Sequence, residues 1–389
     1  MTPLQRSDRV TTGRAGRTLA ACTAVLGRAS VSSVSQACRT AGRTRAAGGF
    51  LANRNRMMLS GRRTMNIRQF VAAAVMSFCA SHAGAQEFQL SHNAAAGNPK
   101  DVASQKFAEL VEQKSGGRMK VSVGASAQFG DDAETITNMR LGTIAFSANS
   151  QGTTSAIVPE IALLGLPFLF QDLTQAEAVM DGPVGDKIAA AAEQQGLVVL
   201  SWWNNGIRET SNSKKPIVVP ADLAGMKIRT PPDPMTVDIF TALGASPTPM
   251  AFSELYIALQ QGVVDGQENP LINIFSSKLH EVQPYISMTN HKYEATPFLA
   301  SKIVFDALSP EDQQIIRDAA KEAGELNRQM VRDQTEKLRG EIQATGVKIN
   351  DVDPAPFIVA TKPVYDKWHA QYPELVDELI AAAKAAAGK

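Results

Sequence analysis

Three polar residues are predicted to lie at or just past the ends of strands, where they could bind a ligand. Arg229 ends the stretch MKIR, Arg208 follows a predicted strand over 197–202, and Asn269 follows the short predicted strand of VVDGQENP. Ligands of open α/β sheets bind outside the carboxyl ends of the strands. Two guanidinium groups and one amide in such a crevice would suit a carboxylate, because arginine donates paired N–H bonds to its two oxygens.

The backbone after Arg229 is predicted to be stiff. Pro231 and Pro232 follow closely, and neither can continue a central strand, because proline fixes φ and has no N–H. An arginine held on such an exit loses less conformational entropy when it binds a carboxylate. The simpler alternative is a surface arginine in a weak ion pair. Spacing alone does not decide whether Arg208, Arg229 and Asn269 converge.

Residues 86–389 contain no recognisable catalytic or metal-binding motif. None of their four histidines belongs to an H-E-x-x-H pair, and no G-x-S-x-G elbow, Walker loop or G-x-G-x-x-G stretch is present. No cysteine follows Cys79, so this part of the chain has no cysteine nucleophile and no thiolate metal site. We therefore predict no catalytic residue, no metal and no cofactor. A Ser–His–Asp triad without a motif stays open.

The first 85 residues have the composition of a leader. They hold thirteen arginines, no lysine and one acid, Asp8. Met65-Asn66-Ile67-Arg68, an apolar run over 70–80 and Ala83-Gly84-Ala85 predict a signal peptide over 65–85, cleaved after Ala85. The apolar run is too short to span a bilayer. Residues 1–64 are predicted to lie upstream of the true start, and a mitochondrial-type presequence is the alternative.

Removing that leader changes the charge of the protein. The whole chain carries 39 basic and 38 acidic groups, a net of +1; without the thirteen arginines and Asp8 it carries 26 and 37, a net of −11. All three cysteines precede the cleavage site, so the mature chain is predicted to lack disulfides. Its length suffices for two domains, and its sign argues against a nucleic-acid partner. We expect an acidic, exported protein.

Alternating strands and helices predict an α/β fold, with a second α/β unit from about Gly206. The predicted strands are 88–91, 119–123, 144–146, 197–200 and 263–266, and the predicted helices are 100–114, 131–141, 238–243, 252–261 and one from Pro270. A last helix starts at the N-cap Ser309 and meets no strong breaker before Gly346. At ~1.5 Å per residue it reaches roughly 50 Å, which is longer than one small domain.

Three stretches resemble the periplasmic solute-binding proteins of TRAP transporters, the DctP family. They are LAGMKIRTPP, FSELYIALQQGVVDGQENP and GIRETSNSKKPI, and the resemblance continues from SHNAAAGNP at 91–99 onward. It implies a two-domain periplasmic-binding-protein-like α/β fold with a hinged cleft and a long helix that spans both domains. Domain I would comprise 86–206 plus about 296–335, and domain II 207–295 plus about 336–389.

The resemblance also implies which residues contact the ligand. Arg229 matches the arginine that pairs with the ligand carboxylate, Arg208 a second cleft arginine, and Asn269 the cleft asparagine. The other matching positions are Phe252, Asn149, His92, Asn93 and Trp203. Asn149 is neutral at a position where many relatives place a polar or acidic contact.

Three of these positions have a structural alternative. Asn269 precedes Pro270 and is also expected to cap the helix that follows. Phe252 could be an ordinary core residue. Trp202 and Trp203 point to opposite faces of a strand, so only one of them can line the cleft.

The expected function is capture of a small organic acid for a membrane complex of one small and one large integral subunit, driven by an ion gradient. A C4-dicarboxylate, a sugar acid and a hydroxy- or keto-acid all present the same carboxylate to Arg229. Two alternatives remain. One is an exported enzyme acting on such acids with His92 as its base, and the other is a binding protein that serves a sensor.

Overall fold

The computed structural model describes residues 85–387. The predicted upstream segment 1–64 and the predicted signal peptide lie outside these residues, apart from Ala85 itself. None of the helices within the described part combines the length and the apolarity needed to cross a bilayer.

Nine strands of the described residues form one mixed sheet, which confirms the α/β class. The strands are β1 Gln86–Ser91, β2 Met119–Gly124, β3 Phe146–Ala148, β4 Leu197–Asn212, β5 Lys227–Thr230, β6 Ser246–Pro249, β7 Gly266–Asn269, β8 Tyr285–Ser301 and β9 Lys348–Asp351. Their order is β2-β1-β3-β8-β4-β7-β5-β6, and β9 pairs with β8. Strands β1–β3 pair in parallel, and so do strands β5–β7. The antiparallel pair of β4 and β8 lies between these two groups and connects them.

The two long central strands hold the halves of the sheet together. β4 has 16 residues and β8 has 17, and they pair over most of their length with three shifts in register. Arg208 therefore lies inside β4, and the prediction that it follows a strand ending near 202 is wrong. No predicted strand corresponds to β8, because it is buried on both faces and lacks the alternation of a half-exposed strand.

Helices begin where caps and prolines place them. The helices are α1 Pro99–Lys114, α2 Asp132–Arg140, α3 Gln151–Thr154, α4 Leu173–Met180, α5 Pro183–Gln194, α6 Pro234–Ala242, α7 Phe252–Gln260, α8 Leu271–Ser276, α9 Lys302–Asp306, α10 Pro310–Ala344, α11 Ala355–Gln371 and α12 Pro373–Ala386. The Asn98 side chain accepts a hydrogen bond from the Lys100 backbone at the start of α1, and Asp131 caps α2 in the same way. Asn269 ends β7 and Pro270 is the N-cap of α8, so the expected capping role of Asn269 is wrong.

The longest helix, α10, has 35 residues and packs against α1, β4 and α8. Trp203 fills the contact with β4: its indole stacks on Phe298, with 4.2 Å between ring centroids, and donates to the Ala320 carbonyl at 3.3 Å. The indole approaches α10 at Gly324, where a Cβ would lie 2.7 Å from Trp203 Nε1. Trp203 is therefore a core residue, and the structure does not bring it to the site described next.

Candidate functional site

A cavity of about 630 Å³, measured with its mouth, lies where the carboxyl ends of β5 and β7 face the first turns of α1 and α2. Most of the lining residues are polar or charged, and they come from both halves of the sheet. The polar and charged lining residues are Asn93, Lys100, Asp131, Asp132, Ser150, Thr153, Asn205, Arg208, Arg229, Ser253, Asn269 and Asn273.

Arg229 is held in place with most of its donors free. It sits in β5 between β6 and β7 and is 2% exposed. Its Nε and Nη2 donate to the Met250 carbonyl at 3.0 and 2.6 Å, and its Cζ lies 5.7 Å from the Phe252 ring centroid. Three of its five N–H groups remain. No carboxylate among residues 85–387 lies within ion-pair distance, and burial lowers the pKa of Arg229 to about 9.

Lys100 is a second buried cation that the sequence did not single out. It occupies the first turn of α1, lines the cavity and is 3% exposed. Its ammonium group has no ion-pair partner within the described residues. Burial lowers its pKa from 10.5 to about 8, although the charge of nearby Asp132 opposes that shift. Lys100 and Arg229 are therefore buried charges that an anion in the cavity would compensate.

We expect the protein to take up protons when it binds a carboxylate ligand at pH 8. The bound anion raises the lowered pKa of Lys100, so this side chain becomes more fully protonated. Up to about half a proton per ligand should be taken up, since a group is half protonated at its pKa. The sign follows directly: affinity should fall as the pH rises above 8 and the ammonium group is lost. Binding enthalpies measured by calorimetry in phosphate and in Tris at pH 8 should differ accordingly. Equal enthalpies in both buffers, or an unchanged difference in Lys100→Gln, would show that Lys100 does not sense the ligand.

Arg208 lines the same cavity but is already bound by two carboxylates. Its Nε and Nη2 pair with the Glu268 side chain, Nη2 also reaches the Glu268 carbonyl at 2.6 Å, and Nη1 pairs with Glu294. All three side chains are at most 2% exposed. Burial raises the pKa of Glu268, but the charge of Arg208 and the contacts of Arg208 and His291 with this carboxylate together outweigh burial and hold the pKa below its usual range. Only one N–H group of Arg208 remains, so it has no free fork for a ligand.

Asp132 from α2 and Asn93 from the loop between β1 and α1 form one wall of the cavity. Asn93 Nδ2 donates to Asp132 Oδ2 at 2.6 Å. The Asp132 side chain is buried, which raises its pKa to about 6 although the charge of Lys100 lowers it. Asn149 Nδ2 donates to the Asp132 backbone carbonyl at 3.1 Å. Asn149 itself does not line the cavity; it positions the residue that does.

Three asparagines form a connected group on the opposite wall. Asn273 Nδ2 donates to Asn205 Oδ1 at 3.1 Å and to Asn269 Oδ1 at 3.2 Å, and Asn269 donates to Gln267 at 2.6 Å. Within the described residues, Asn205 Nδ2 donates to no protein group, so this amide can serve a ligand. The structure thus brings Asn269 to the cavity, in a network that the sequence did not predict.

His92 does not line the cavity. It is 1% exposed, and its Nε2 lies 3.4 Å from Asp101 Oδ1 without the alignment of a hydrogen bond. Burial and the charge of Lys100 lower its pKa to about 4. No group of three or more His, Cys, Asp or Glu side chains in residues 85–387 is arranged to hold a metal ion.

The structure therefore brings five of the eight predicted residues together around one cavity: Arg229, Arg208, Asn269, Phe252 and Asn93. It places His92, Asn149 and Trp203 elsewhere. Lys100 and Asp132 were missed because each reads as a surface charge in the first turn of an amphipathic helix. The capping residues predict where α1 and α2 begin, but no local sequence pattern shows that the first turns of these two helices face each other.

A mixed α/β sheet with a cavity at the carboxyl ends of parallel strands is typical of α/β proteins that bind small molecules. Comparison with known proteins gives the family. Residues 90–371 match the family DctP, bacterial extracellular solute-binding protein, family 7. The chain belongs to that family, whose members serve TRAP transporters and bind solutes rather than transform them. The expectation that this is not an enzyme is confirmed on that ground.

Three similar proteins illustrate the relationship. The uncharacterized protein y4mM of Sinorhizobium fredii is 51% identical over 278 residues, which are 71% of this chain but only 51% of that protein. The 2,3-diketo-L-gulonate-binding periplasmic protein YiaO of Escherichia coli is 35% identical over 286 residues, 73% of this chain and 87% of that one. The crystal structure of a TRAP periplasmic solute-binding protein from Polaromonas sp. JS666, bound to D-erythronate, is 34% identical, has a TM-score of 0.75, and matches over 78% of this chain and all of that one.

Proposed function

We propose that this protein captures a small organic acid by pairing Arg229 with the ligand carboxylate. The observation that supports this most directly is a buried guanidinium with three free N–H groups and no carboxylate of its own. A ligand carboxylate would supply the missing charge and accept a paired hydrogen bond. Relatives named for the binding of diketogulonate and D-erythronate, both small acids, support the ligand class.

Capture also requires the two sides of the cavity to separate and close. Asn98 Nδ2 donates to Asn273 Oδ1 at 3.0 Å and to Ser276 Oγ at 3.1 Å, which ties the start of α1 to α8 across the mouth. With these contacts made, Arg229 and Lys100 are 2% and 3% exposed, which supports a closed arrangement of the cavity. We infer hinge closure of domain I, 86–206 plus about 296–335, on domain II, 207–295 plus about 336–389, with β4, β8 and α10 as the crossing elements.

The remaining steps follow from the sequence and the family. We infer that a signal peptide over 65–85 exports the chain to the periplasm and is cleaved after Ala85. The loaded protein would deliver its acid to the small and large integral membrane subunits of a TRAP transporter. YiaO is named as a periplasmic protein, which supports the location.

A panel of small organic acids and their amides tests the proposal with two readouts. A ligand at 100 times its dissociation constant adds about 2.7 kcal/mol to the free energy of unfolding, so binding acids should raise the unfolding midpoint. The same acids should reduce the radius of gyration in solution scattering as the domains close. Amides should do neither. If acids and amides raise the unfolding midpoint equally, the ligand carboxylate is not what the protein recognises. If the radius of gyration does not change on binding, the proposed domain closure is wrong.

A further inference from the structure

The Asn98 side chain makes hydrogen bonds in two directions. Its Oδ1 accepts from the Lys100 backbone N–H at 2.9 Å and so caps α1. Its Nδ2 donates to Asn273 Oδ1 at 3.0 Å and to Ser276 Oγ at 3.1 Å, both on α8. Asn98 is 4% exposed and does not itself line the cavity. It therefore acts on a ligand through the residues that it holds rather than by contact.

The acceptor on α8 is held in orientation by its own contacts. Asn273 Nδ2 donates to Asn205 Oδ1 at 3.1 Å and to Asn269 Oδ1 at 3.2 Å, which leaves its Oδ1 for Asn98. An amide that is held in this way does not have to turn before it accepts a hydrogen bond. Less conformational entropy is then lost when Asn98 reaches it.

Both bonds from Asn98 Nδ2 lie between the two inferred domains. Asn98 belongs to domain I, whereas Asn273 and Ser276 belong to domain II. When the domains separate, both bonds break and their groups are hydrated, and when the domains close, the bonds form again. Because a hydrogen bond gained in such an exchange changes an equilibrium constant by a factor of about five, the two together should favour closure by about tenfold or more.

We propose that Asn98 is a positioning residue that holds the cavity closed on its ligand and thereby sets how long the ligand stays bound. Its two bonds to Asn273 and Ser276 are called the Asn98 latch. This inference rests on the proposed capture of an acid at Arg229, and it adds the element that retains the acid after closure. Since Asn98 also caps α1, closing the latch fixes the helix turn that carries Lys100 against the cavity.

The latch forms after the ligand has entered, so its loss should act on dissociation. Asn98→Ser keeps an oxygen that caps α1, but its side chain is too short to reach α8 as the amide does. Stopped-flow kinetics with D-erythronate, D-glucuronate, galactonate and succinate as probes identify the acid that binds most tightly. Its dissociation should be at least about fivefold faster in Asn98→Ser, with association within about twofold of the wild type. An unchanged dissociation rate, or a loss confined to association, would overturn the inference.

Two further variants separate the latch from the helix cap. Asn98→Ala loses both, so it should release the ligand about as fast as Asn98→Ser, while its unliganded form unfolds at a lower denaturant concentration. Ser276→Ala removes one acceptor from the opposite side and should speed release by less. Combined with Asn98→Ser, it should add little, because the two changes remove the same bond. Much faster release in Asn98→Ala than in Asn98→Ser, or full additivity with Ser276→Ala, would overturn the latch.

Asn350 provides a matched control. Its Nδ2 donates to the Ile217 carbonyl at 2.8 Å, and its Oδ1 accepts from Ser287 Oγ at 2.8 Å. All three residues belong to the inferred domain II, and none of them lines the cavity. Asn350→Ser loses an amide bridge within one domain and should leave both rate constants unchanged. If it speeds release as much as Asn98→Ser does, loss of any amide bridge loosens the protein, and the assignment to Asn98 is overturned.

The outcomes separate this inference from the proposed function. If an acid binds, Arg229→Met abolishes that binding and Asn98→Ser changes neither rate, the Arg229 pairing stands and the latch is overturned. If Asn98→Ser fails to fold, Ser276→Ala decides, and an unchanged dissociation rate in that variant overturns the latch. If no acid binds to the wild type, both the function and the latch fail.

Discussion

Arg229→Met should abolish carboxylate binding while the unliganded protein stays about as stable as the wild type. The variant replaces a buried guanidinium by an apolar side chain of similar length. Losing one partner of a buried charged pair costs a complex about 3 kcal/mol, so affinity should fall about 100-fold or more. Without ligand, no ion pair is broken, because Arg229 has no carboxylate partner within the described residues. The free energy of unfolding should therefore change by only about 1 kcal/mol.

The two properties are measured separately, by calorimetry with the best ligand and by denaturant unfolding of the unliganded protein. Arg317 provides a matched control, since its guanidinium also lies over a phenylalanine ring, 4.8 Å from the centroid of Phe305, but it is exposed and outside the cavity. Arg317→Ala should leave affinity unchanged. Arg229→Lys keeps the charge but not the planar fork, and should bind more weakly than wild type and more tightly than Arg229→Met. Unchanged affinity in Arg229→Met would make Arg229 a structural arginine.

The regular elements of this fold could be predicted where local signals are strong. The strand over 88–91, the strand over 119–123 and the helix from Ser309 to Gly346 agree with β1, β2 and α10 to within two residues or so. Caps, prolines and helical spacing determine such elements largely by themselves. β8 could not be predicted, because Lys292 and Glu294 are buried in the middle of it. Their burial depends on partners that come from other strands.

The residues of the site also differ in whether local sequence or distant partners determine their environment. Arg229 could be found from the sequence, because a strand that ends on arginine before two prolines is a local pattern. The environment of Arg208 could not. Its partners Glu268 and Glu294 lie 60 and 86 residues away and reach it only because β7 and β8 flank β4. The sequence therefore suggested two arginines available to the ligand, whereas the structure gives one, Arg229, with a free fork and one, Arg208, whose charge is neutralised.

The second prediction follows from that difference. Arg208→Met should lower the free energy of unfolding by about 3–5 kcal/mol at neutral pH, because it leaves two carboxylates buried without their cation. Arg229→Met, at an equally buried arginine, should show no such loss. Denaturant unfolding of both unliganded variants makes the comparison, and equal losses in the two would contradict the charge assignment.

The loss should also depend on pH, with a sign that identifies its cause. In the wild type, Arg208 and His291 together outweigh burial and hold the pKa of Glu268 below its usual range, so this carboxylate contributes stability above its unfolded pKa that is lost on acidification. In Arg208→Met, the guanidinium that offsets burial is gone, so the pKa of Glu268 rises and stability is lost as the pH rises. The gap between variant and wild type should therefore be small near pH 4 and full at pH 7. A gap that is the same at both values would indicate lost packing rather than lost charge.

Removing the whole charged group gives the strictest form of this test. The triple variant Arg208→Met, Glu268→Gln, Glu294→Gln buries no charge at these positions, and replacing a complete buried ionic group by neutral residues is often close to neutral for stability. It should regain most of the ~3–5 kcal/mol in free energy of unfolding that Arg208→Met alone loses. Residues 268 and 294 should then contribute no pH dependence to that free energy between pH 4 and 7. If the triple variant is as unstable as Arg208→Met, the arginine stabilises the sheet through its shape and hydrogen bonds rather than by neutralising Glu268 and Glu294.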